Sequence, residues 1–174
     1  MNVKQGIIFI LLLLIMSLLY CTIGPGITIL ILAIMLFALA ILFTFKAEYY
    51  DKYLVIVNPK LYNAYKEKGR DFIRKKRITT IIGYYILTVL TGFNGFMQIR
   101  LMNEMGTKLL FSFNEFLPFA LVVLVVVFIT NYICIYIAKK SKTAGEDLMW
   151  NIIVGIVLAI ALMIFITFYI LGKL

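Results

Sequence analysis

Five apolar runs, each long enough to cross a bilayer, dominate the hydrophobic pattern of the chain. They cover residues 6–23, 27–45, 78–99, 116–138 and 148–171, and none of them contains Lys, Arg, Asp or Glu. A helix of about 20 residues spans the hydrocarbon core, whereas a β-barrel needs an alternation of apolar and polar residues that these runs lack. The pattern predicts an all-α integral membrane protein, a bundle of five transmembrane helices in a single domain over residues 1–174.

The first run also has features of a cleaved signal peptide, because the cation Lys4 precedes an apolar stretch. A lipoprotein cleavage site before Cys21 needs a small residue where Tyr20 stands, and Pro25 disfavours a later cut. We therefore expect an uncleaved first helix. The sequence IGPGI, residues 23–27, then predicts a tight turn into the second helix, because Gly and Pro favour turns.

The loop of residues 46–77, the longest polar segment, contains one amphipathic pattern. Asn58 can cap the start of a helix, Pro59 suits its first position, and Gly69 suits the residue beyond its end. The apolar face of this helix would consist of Leu61, Tyr62, Ala64 and Tyr65. The pattern predicts a short amphipathic helix that lies in the plane of the lipid headgroups.

The distribution of Lys and Arg predicts how the helices are oriented. One side of the membrane would hold Lys4, ten cations in residues 46–77 and three in residues 139–147, which is 14 of the 17. The other side would hold the remaining three, Arg100, Lys108 and Lys173. Since cytoplasmic loops carry the excess of cations, we expect a cytoplasmic N-terminus, a cytoplasmic loop 46–77 and a C-terminus outside.

Composition supports a membrane location and argues against nucleic acid as a partner. Hydrophobic residues make up 64% of the chain and charged residues 14%, which is too apolar for a soluble fold of this size. The net charge of +9 is spread between apolar runs instead of lying on one soluble face. The frequent Ile, Lys, Asn and Tyr indicate an AT-rich prokaryotic genome, so we expect the plasma membrane of a prokaryote.

The densest group of cations lies in GRDFIRKKR, residues 69–77, and permits two interpretations. In the first, the cations only mark the cytoplasmic end of the third transmembrane helix, and the loop is a connector. In the second, five cations contact anionic lipid at the inner face or a cytoplasmic partner, since each contributes attraction to an anionic leaflet. These candidate lipid contacts are Arg70, Arg74, Lys75, Lys76 and Arg77.

Uncharged polar residues inside the runs are the candidates for ligand contact or packing. Asn131 lies about 10 Å from the inner end of the fourth helix, at the depth of Tyr84 and Tyr85 in the third. A hydrogen bond between Asn131 and one of these tyrosines is expected to hold the helices together. Contact of Asn131 with a ligand is the alternative.

Two further patterns bear on helix packing. TGFNGFMQ, residues 91–98, contains a turn signal together with Asn94 and Gln98. We interpret it as the outer end of the third helix, with a break at Gly92–Gly95 as the alternative. In the fifth helix a small or polar residue recurs every four positions, which predicts a close-packing face. This face consists of Asn151, Gly155 and Ala159.

No pattern in the chain predicts a catalytic, cofactor-binding or metal site. Histidine is absent, the two cysteines are far apart in sequence, and no nucleotide-binding or hydrolase motif occurs. The runs also lack the ionisable residues that mark ion paths and proton relays. We therefore expect no enzyme activity and no cofactor.

Three functions remain, in this order of preference. The first is a non-enzymatic accessory or interaction protein that associates with another membrane protein, as a transporter subunit or an immunity-type protein does. The second is a small-solute binding or transport protein with a cavity among the third, fourth and fifth helices. The third is a lipid-acting membrane enzyme that holds headgroups with its basic inner loop.

Overall fold

The computed structural model describes residues 3–105 and 113–171, and this part of the chain is almost entirely helical. The described residues contain no strand, so the predicted all-α class is confirmed for them. Seven helices follow one another in this part: α1 Val3–Ile23, α2 Pro25–Phe45, α3 Ala47–Val57, α4 Pro59–Lys66, α5 Arg70–Met105, α6 Phe113–Lys140 and α7 Ala144–Leu171.

Four of the described helices are long and apolar enough to cross a membrane. The qualifying segments are Pro25–Phe45, Arg70–Glu104, Leu121–Lys140 and Ala144–Ile164, and they correspond to the second, third, fourth and fifth predicted runs. The first predicted run is also helical, as α1, and its apolar segment Ile10–Ile23 is shorter. A membrane protein is therefore supported by four helices, and the fifth crossing stays a prediction.

The α1–α2 hairpin has the tight turn that IGPGI predicts. Gly24 alone separates the two helices, with a φ of 85°, and Pro25 begins α2. A positive φ is easily adopted by glycine, which has no Cβ. After this turn α2 packs along α5.

The α2–α5 contact is closest at two glycines. A Cβ built on Gly95 would lie 3.0 Å from the carbonyl oxygen of Gly26, and one built on Gly26 would lie 2.6 Å from Cγ1 of Ile99. Helix backbones approach this closely only where small residues meet. The TGFNGFMQ glycine Gly95 is thus a packing position and not a turn.

Helix α5 is longer than the predicted run 78–99 at both ends. It runs without a break through Gly92 and Gly95 to Met105, so the prediction that the helix ends there, and the alternative of a break, are both wrong. Its 36 residues correspond to about 54 Å at 1.5 Å per residue, more than the hydrocarbon core. The segment between the third and fourth predicted runs, residues 100–115, is helical at 100–105 and 113–115, while 106–112 lie outside the described residues.

The segment 46–77 is mostly helix. Residues 47–57 form α3, which the sequence analysis missed, and residues 70–77 are the first two turns of α5. The predicted amphipathic helix is present as α4, with Asn58 Oδ1 accepting from the backbone N–H of Leu61 at 3.1 Å and Gly69 at a φ of 93°.

These short helices pack against the ends of the long ones. We call residues 43–84 and 131–151 the head. Its apolar core joins α2, α3, α4, α5, α6 and α7 through Phe43, Tyr50, Leu54, Ala64, Tyr65, Phe72, Ala138 and Ala144. Because Ala64 and Tyr65 are buried in this core, this part of the apolar face of α4 packs on protein. The predicted position of α4 in the plane of the lipid headgroups stays a prediction.

Candidate functional site

The centre of the head is an ion pair between Lys76 in α5 and Asp147 in α7. The side chain of Asp147 is fully buried, and that of Lys76 is 9% exposed. A charge is tolerated in such an interior only when it is paired and hydrogen-bonded. The pair therefore holds the start of α7 against the start of α5.

Further polar contacts extend this pair into α6. The Nδ2 group of Asn151 donates to Oδ2 of Asp147 at 3.1 Å and to its backbone oxygen at 2.7 Å. The Cys134 thiol donates to Oδ1 of Asn151 at 3.1 Å, and the Lys76 ammonium lies 5.6 Å from the centre of the Tyr65 ring. Three helices are thus joined by one connected polar network, in which Oδ1 of Asp147 is buried and has no hydrogen-bond partner among the described residues.

Tyrosines surround the network and stay protonated. The Tyr50 hydroxyl is 3.3 Å from the hydroxyl of Thr80, and burial raises the pKa of Tyr50 to about 12 although this hydrogen bond opposes the shift. Burial, with the Asp147 charge adding to it, also raises the pKa of Tyr65. Neither phenol is therefore available as a base near neutral pH.

Two side-chain contacts fix α4 to α6 and to the residues after it. Asn58 Nδ2 donates to Oδ1 of Asn131, and Lys68 Nζ donates to the backbone oxygen of Ser141. Both contacts join positions 73 residues apart in sequence. The segment 46–77 is thus a folded part of the molecule, and α4 is anchored by the polar residues at its two ends, Asn58 and Lys68.

A basic cavity of about 420 Å³ opens beside this network. It is bounded by α3, α4 and the first two turns of α5. The side chains that line it are four cations, one carboxylate, one phenol and one aliphatic group, from Lys66, Arg70, Arg74, Arg77, Asp51, Tyr62 and Ile73. We call this space the basic cavity. Its surplus of positive charge makes it suited to an anion.

Two groups of the basic cavity are shielded from water to different degrees. Burial raises the pKa of Asp51, and the positive charge of Arg77 partly opposes this shift. The Nε of Arg77 is buried and has no hydrogen-bond partner among the described residues. A buried N–H donor without an acceptor is energetically costly. An acceptor bound beside Arg77 would remove this cost.

The five predicted lipid contacts occupy three kinds of place. Arg70, Arg74 and Arg77 line the basic cavity. Lys75 is exposed and outside the cavity lining. Lys76 is buried in its pair with Asp147, which places its ammonium in the protein interior instead of at a headgroup.

The predicted partners of Asn131 have other partners. The Tyr84 hydroxyl lies 3.2 Å from the hydroxyl of Tyr53, and the Tyr85 hydroxyl lies 3.3 Å from the Thr44 hydroxyl. Asn131 does contact another part of the protein, as expected of an amide at this depth, but through the segment 46–77 and not through α5. The predicted bond to Tyr84 or Tyr85 is wrong because α3 and α4 fill the space beside both helices.

The remaining predicted polar and packing positions lie apart from the cavity. Asn94 and Gln98 are hydrogen-bonded to each other at 2.9 Å along α5. Asn151 belongs to the ion-pair network, whereas Gly155 and Ala159 are exposed in the isolated chain, and a Cβ on Gly155 would meet nothing within 4 Å. The close-packing face predicted for these three residues stays a prediction.

Sequence reasoning missed the residues that complete the site. Asp147 was assigned to a connecting loop and Asp51 only to a polar segment, while Tyr62 and Lys66 were assigned to the apolar and polar faces of the short amphipathic helix and not to a site. The available signal for Asp147 was an acid directly before an apolar run, at the membrane edge that also carries the cations. Asp51 had no such signal, because its place depends on how α3 folds back.

The site shows no metal-binding chemistry and the chain shows no relative. Among the described residues, no group of three or more His, Cys, Asp or Glu side chains is arranged to hold a metal ion. A scan against models of known protein families found no match, and searches of curated proteins and of solved structures found none either.

Proposed function

We propose that the chain crosses the plasma membrane of a prokaryote five times, with its N-terminus in the cytoplasm and its C-terminus outside. The length of α1 supports the fifth crossing, since 21 residues correspond to about 31 Å, close to the thickness of the hydrocarbon core. The 14 to 3 distribution of Lys and Arg supports the orientation. In the proposed orientation, the head and the basic cavity lie at the cytoplasmic face.

A reporter fusion tests this topology. A reporter that is active only in the cytoplasm should be inactive when fused after Leu174 and active when inserted in the 141–143 connection between α6 and α7. Activity after Leu174 would contradict either the number of crossings or their direction. A matched reporter that is active only outside should give the opposite pattern.

Within this topology we assign the protein a non-enzymatic accessory role, in which it acts by associating with another membrane protein. The observation that carries this assignment is the uncovered length of α7. In the most apolar stretch of this helix only 6% of residues are buried, the same share as in α5, but α5 packs along α2 whereas α7 makes few contacts with any described helix. The polar side-chain contacts of α7 to α5 and α6 lie at Asp147 and Asn151, at its head end.

The rest of α7 presents two faces to its surroundings. Asn151, Gly155 and Ala159 lie on one face, where small side chains permit close approach of a second helix. Val157 and Ile164 are on the opposite face at 100° per residue, and both are exposed. Asn151 contacts Cys134 of α6, whereas Gly155 and Ala159 are exposed and, among the described residues, a Cβ on Gly155 would meet nothing within 4 Å. The exposed small residues beyond Asn151 support association with a helix of another protein, as in a transporter subunit or an immunity-type protein.

The alternative functions have less support. A solute path among α5, α6 and α7 needs side chains that close around it, and α7 is mostly uncovered beyond Asn151. A lipid-acting enzyme needs a nucleophile or a base in contact with its substrate, and the basic cavity offers cations with the single carboxyl of Asp51. We keep both as alternatives below the accessory role.

Crosslinking inside the membrane tests the association. A photoreactive residue replacing Ala159 should give a discrete protein adduct in cells, whereas the same residue replacing Val157 on the opposite face should give lipid adducts only. Lipid adducts at both positions would contradict the association. An adduct at twice the 20.0 kDa mass of the chain would identify a second copy and contradict the accessory role.

A further inference from the structure

The basic cavity has too few acids for its cations. Lys66, Arg70, Arg74 and Arg77 line it, against the single carboxylate of Asp51. In the part of the chain that the structure describes, none of these four cations forms an ion pair. Asp71 lies one turn before Arg74, a spacing at which helical acids and cations commonly pair, but among the described residues it forms no ion pair and it does not line the cavity. The positive charge therefore converges on one half-open space.

The order of residues in α5 produces this convergence. Arg70, Ile73, Arg74 and Arg77 are spaced at i, i+3, i+4 and i+7, which places them on one face of a helix. Lys75 lies on another face of the same turn. Because α3 and α4 fold over the first face, its three guanidinium groups are brought to the cavity while Lys75 stays in solvent.

The buried Nε of Arg77 is the second, independent sign of a ligand. Among the described residues it lacks a hydrogen-bond partner, although the protein supplies a partner for the neighbouring Lys76 ammonium. Native proteins leave few buried donors unpaired, and a missing ion is one cause of such an exception. An anion in the cavity would supply the acceptor.

We propose that the basic cavity binds a phosphate group. Guanidinium groups form paired hydrogen bonds with phosphate oxygens, and Tyr62 adds a hydroxyl donor at the cavity wall. The volume of about 420 Å³ falls in the range of small-ligand sites, about 300–1,000 Å³, so the cavity has room for a molecule larger than a single phosphate ion. The ligand is a phosphate ester, carried either by the headgroup of an anionic lipid or by a soluble molecule.

This inference goes beyond the proposed accessory function, which depends on the membrane-spanning face of α7. Failure of phosphate binding would leave the crosslinking result at Ala159 unchanged. Absence of a protein adduct at Ala159 would equally leave the phosphate-binding result unchanged. The two experiments therefore fail independently.

The experiment uses the full chain in nanodiscs of neutral phosphatidylcholine. In one arm, phosphatidic acid is added to the discs, and its retention by the protein is measured by native mass spectrometry. In the other arm, soluble glycerol 3-phosphate is titrated, and binding is followed by calorimetry. Saturable binding in the first arm alone identifies a lipid headgroup, and saturable binding in the second identifies a soluble phosphate ester.

Three variants decide whether the cavity is responsible. Arg74→Gln and Arg77→Gln should each weaken binding about tenfold, the usual effect of losing a charge-assisted hydrogen bond. Lys75→Gln removes one positive charge from the same turn of α5 but outside the cavity, and it should change the binding affinity less than about twofold. Because Arg74 is exposed, its variant should keep the parent's melting temperature. An equal loss in all three variants, or saturable binding in neither arm, would overturn the proposal.

Discussion

Lys76 and Asp147 form an ion pair that buries the charged ends of two side chains between the starts of α5 and α7. Lys76 belongs to the run of cations at residues 70–77, and Asp147 is the last acid before an apolar run. From the sequence alone, each residue is typical of a charged side chain at the edge of a membrane. Together they explain why α7, whose remaining length is mostly uncovered, is nevertheless fixed in the head.

The first prediction concerns this pair. Asp147→Asn should reduce the free energy of unfolding by about 3–5 kcal/mol, because it leaves the Lys76 ammonium buried without a counter-charge. Lys76→Met combined with Asp147→Leu should recover most of that loss, since an apolar pair of similar volume avoids the cost of desolvation. Reversible unfolding in detergent measures both effects.

The exposed pair Arg100–Glu104 in α5, with a separation of 2.8 Å, is the matched control. Arg100→Gln should change stability by less than about 1 kcal/mol, because water screens such a pair. If Asp147→Asn is no more destabilising than Arg100→Gln, the head is not held by its buried pair.

The second prediction concerns the α2–α5 crossing. Gly26→Ala should destabilise the protein by about 1–3 kcal/mol, because the new Cβ would lie 2.6 Å from Ile99 Cγ1 and 3.1 Å from the Ile99 backbone nitrogen. Gly83→Ala is the control in α5, since a Cβ there meets nothing within 4 Å. It should stabilise slightly, as Ala does in helices. Melting temperatures that shift in the same direction for both variants would contradict the close crossing.

The apolar pattern predicted the helices well because a bilayer leaves few alternatives for the backbone. A membrane-spanning segment must satisfy all its hydrogen bonds internally, so long uncharged runs could be assigned to helices from the sequence. The ends were less predictable. Helix α5 continues past both limits of its apolar run, at Arg70 and Met105, where water and headgroups permit charged residues to remain helical.

The head was predictable only in part. Asn58 and Pro59 predicted the start of α4 because capping is a local interaction. The burial of Tyr65 and the pairing of Lys76 with Asp147 depend on tertiary contacts between distant segments, which a single sequence does not contain. For the same reason, the sequence identified the cations of residues 70–77 as one group. It did not predict that Lys76 is buried in an ion pair while Arg70, Arg74 and Arg77 line a cavity.

The third prediction separates two roles of Asn58. Its Oδ1 caps α4 through the Leu61 N–H at 3.1 Å, and its Nδ2 donates to Asn131. Asn131→Leu should cost about 0.6 kcal/mol, as intramembrane hydrogen bonds do on average. Asn58→Ala should cost about 1 kcal/mol more, because it also removes the cap.

Asn58→Ser is the informative control, since serine keeps a capping oxygen but is too short to replace the amide. It should resemble Asn131→Leu in unfolding free energy. A serine variant as unstable as Asn58→Ala would show that the cap contributes nothing. Additive losses in the double variant Asn58→Ala, Asn131→Leu would show that the two amides are not coupled.

The last prediction is a pH dependence at Tyr50, whose pKa burial raises from 10.0 to about 12. Below pH 10 the phenol is protonated in both the folded and the unfolded chain, so its contribution to stability is complete. Between pH 10 and 12 the unfolded chain loses the proton first, and the folded state is destabilised by about 2–3 kcal/mol as the pH approaches 12. Tyr50→Phe removes this dependence. The stability advantage of the parent chain over Tyr50→Phe at pH 9 should therefore shrink as the pH rises to 12. A constant difference for Tyr50→Phe would mean that its hydroxyl is accessible to water, contrary to the packing of the head.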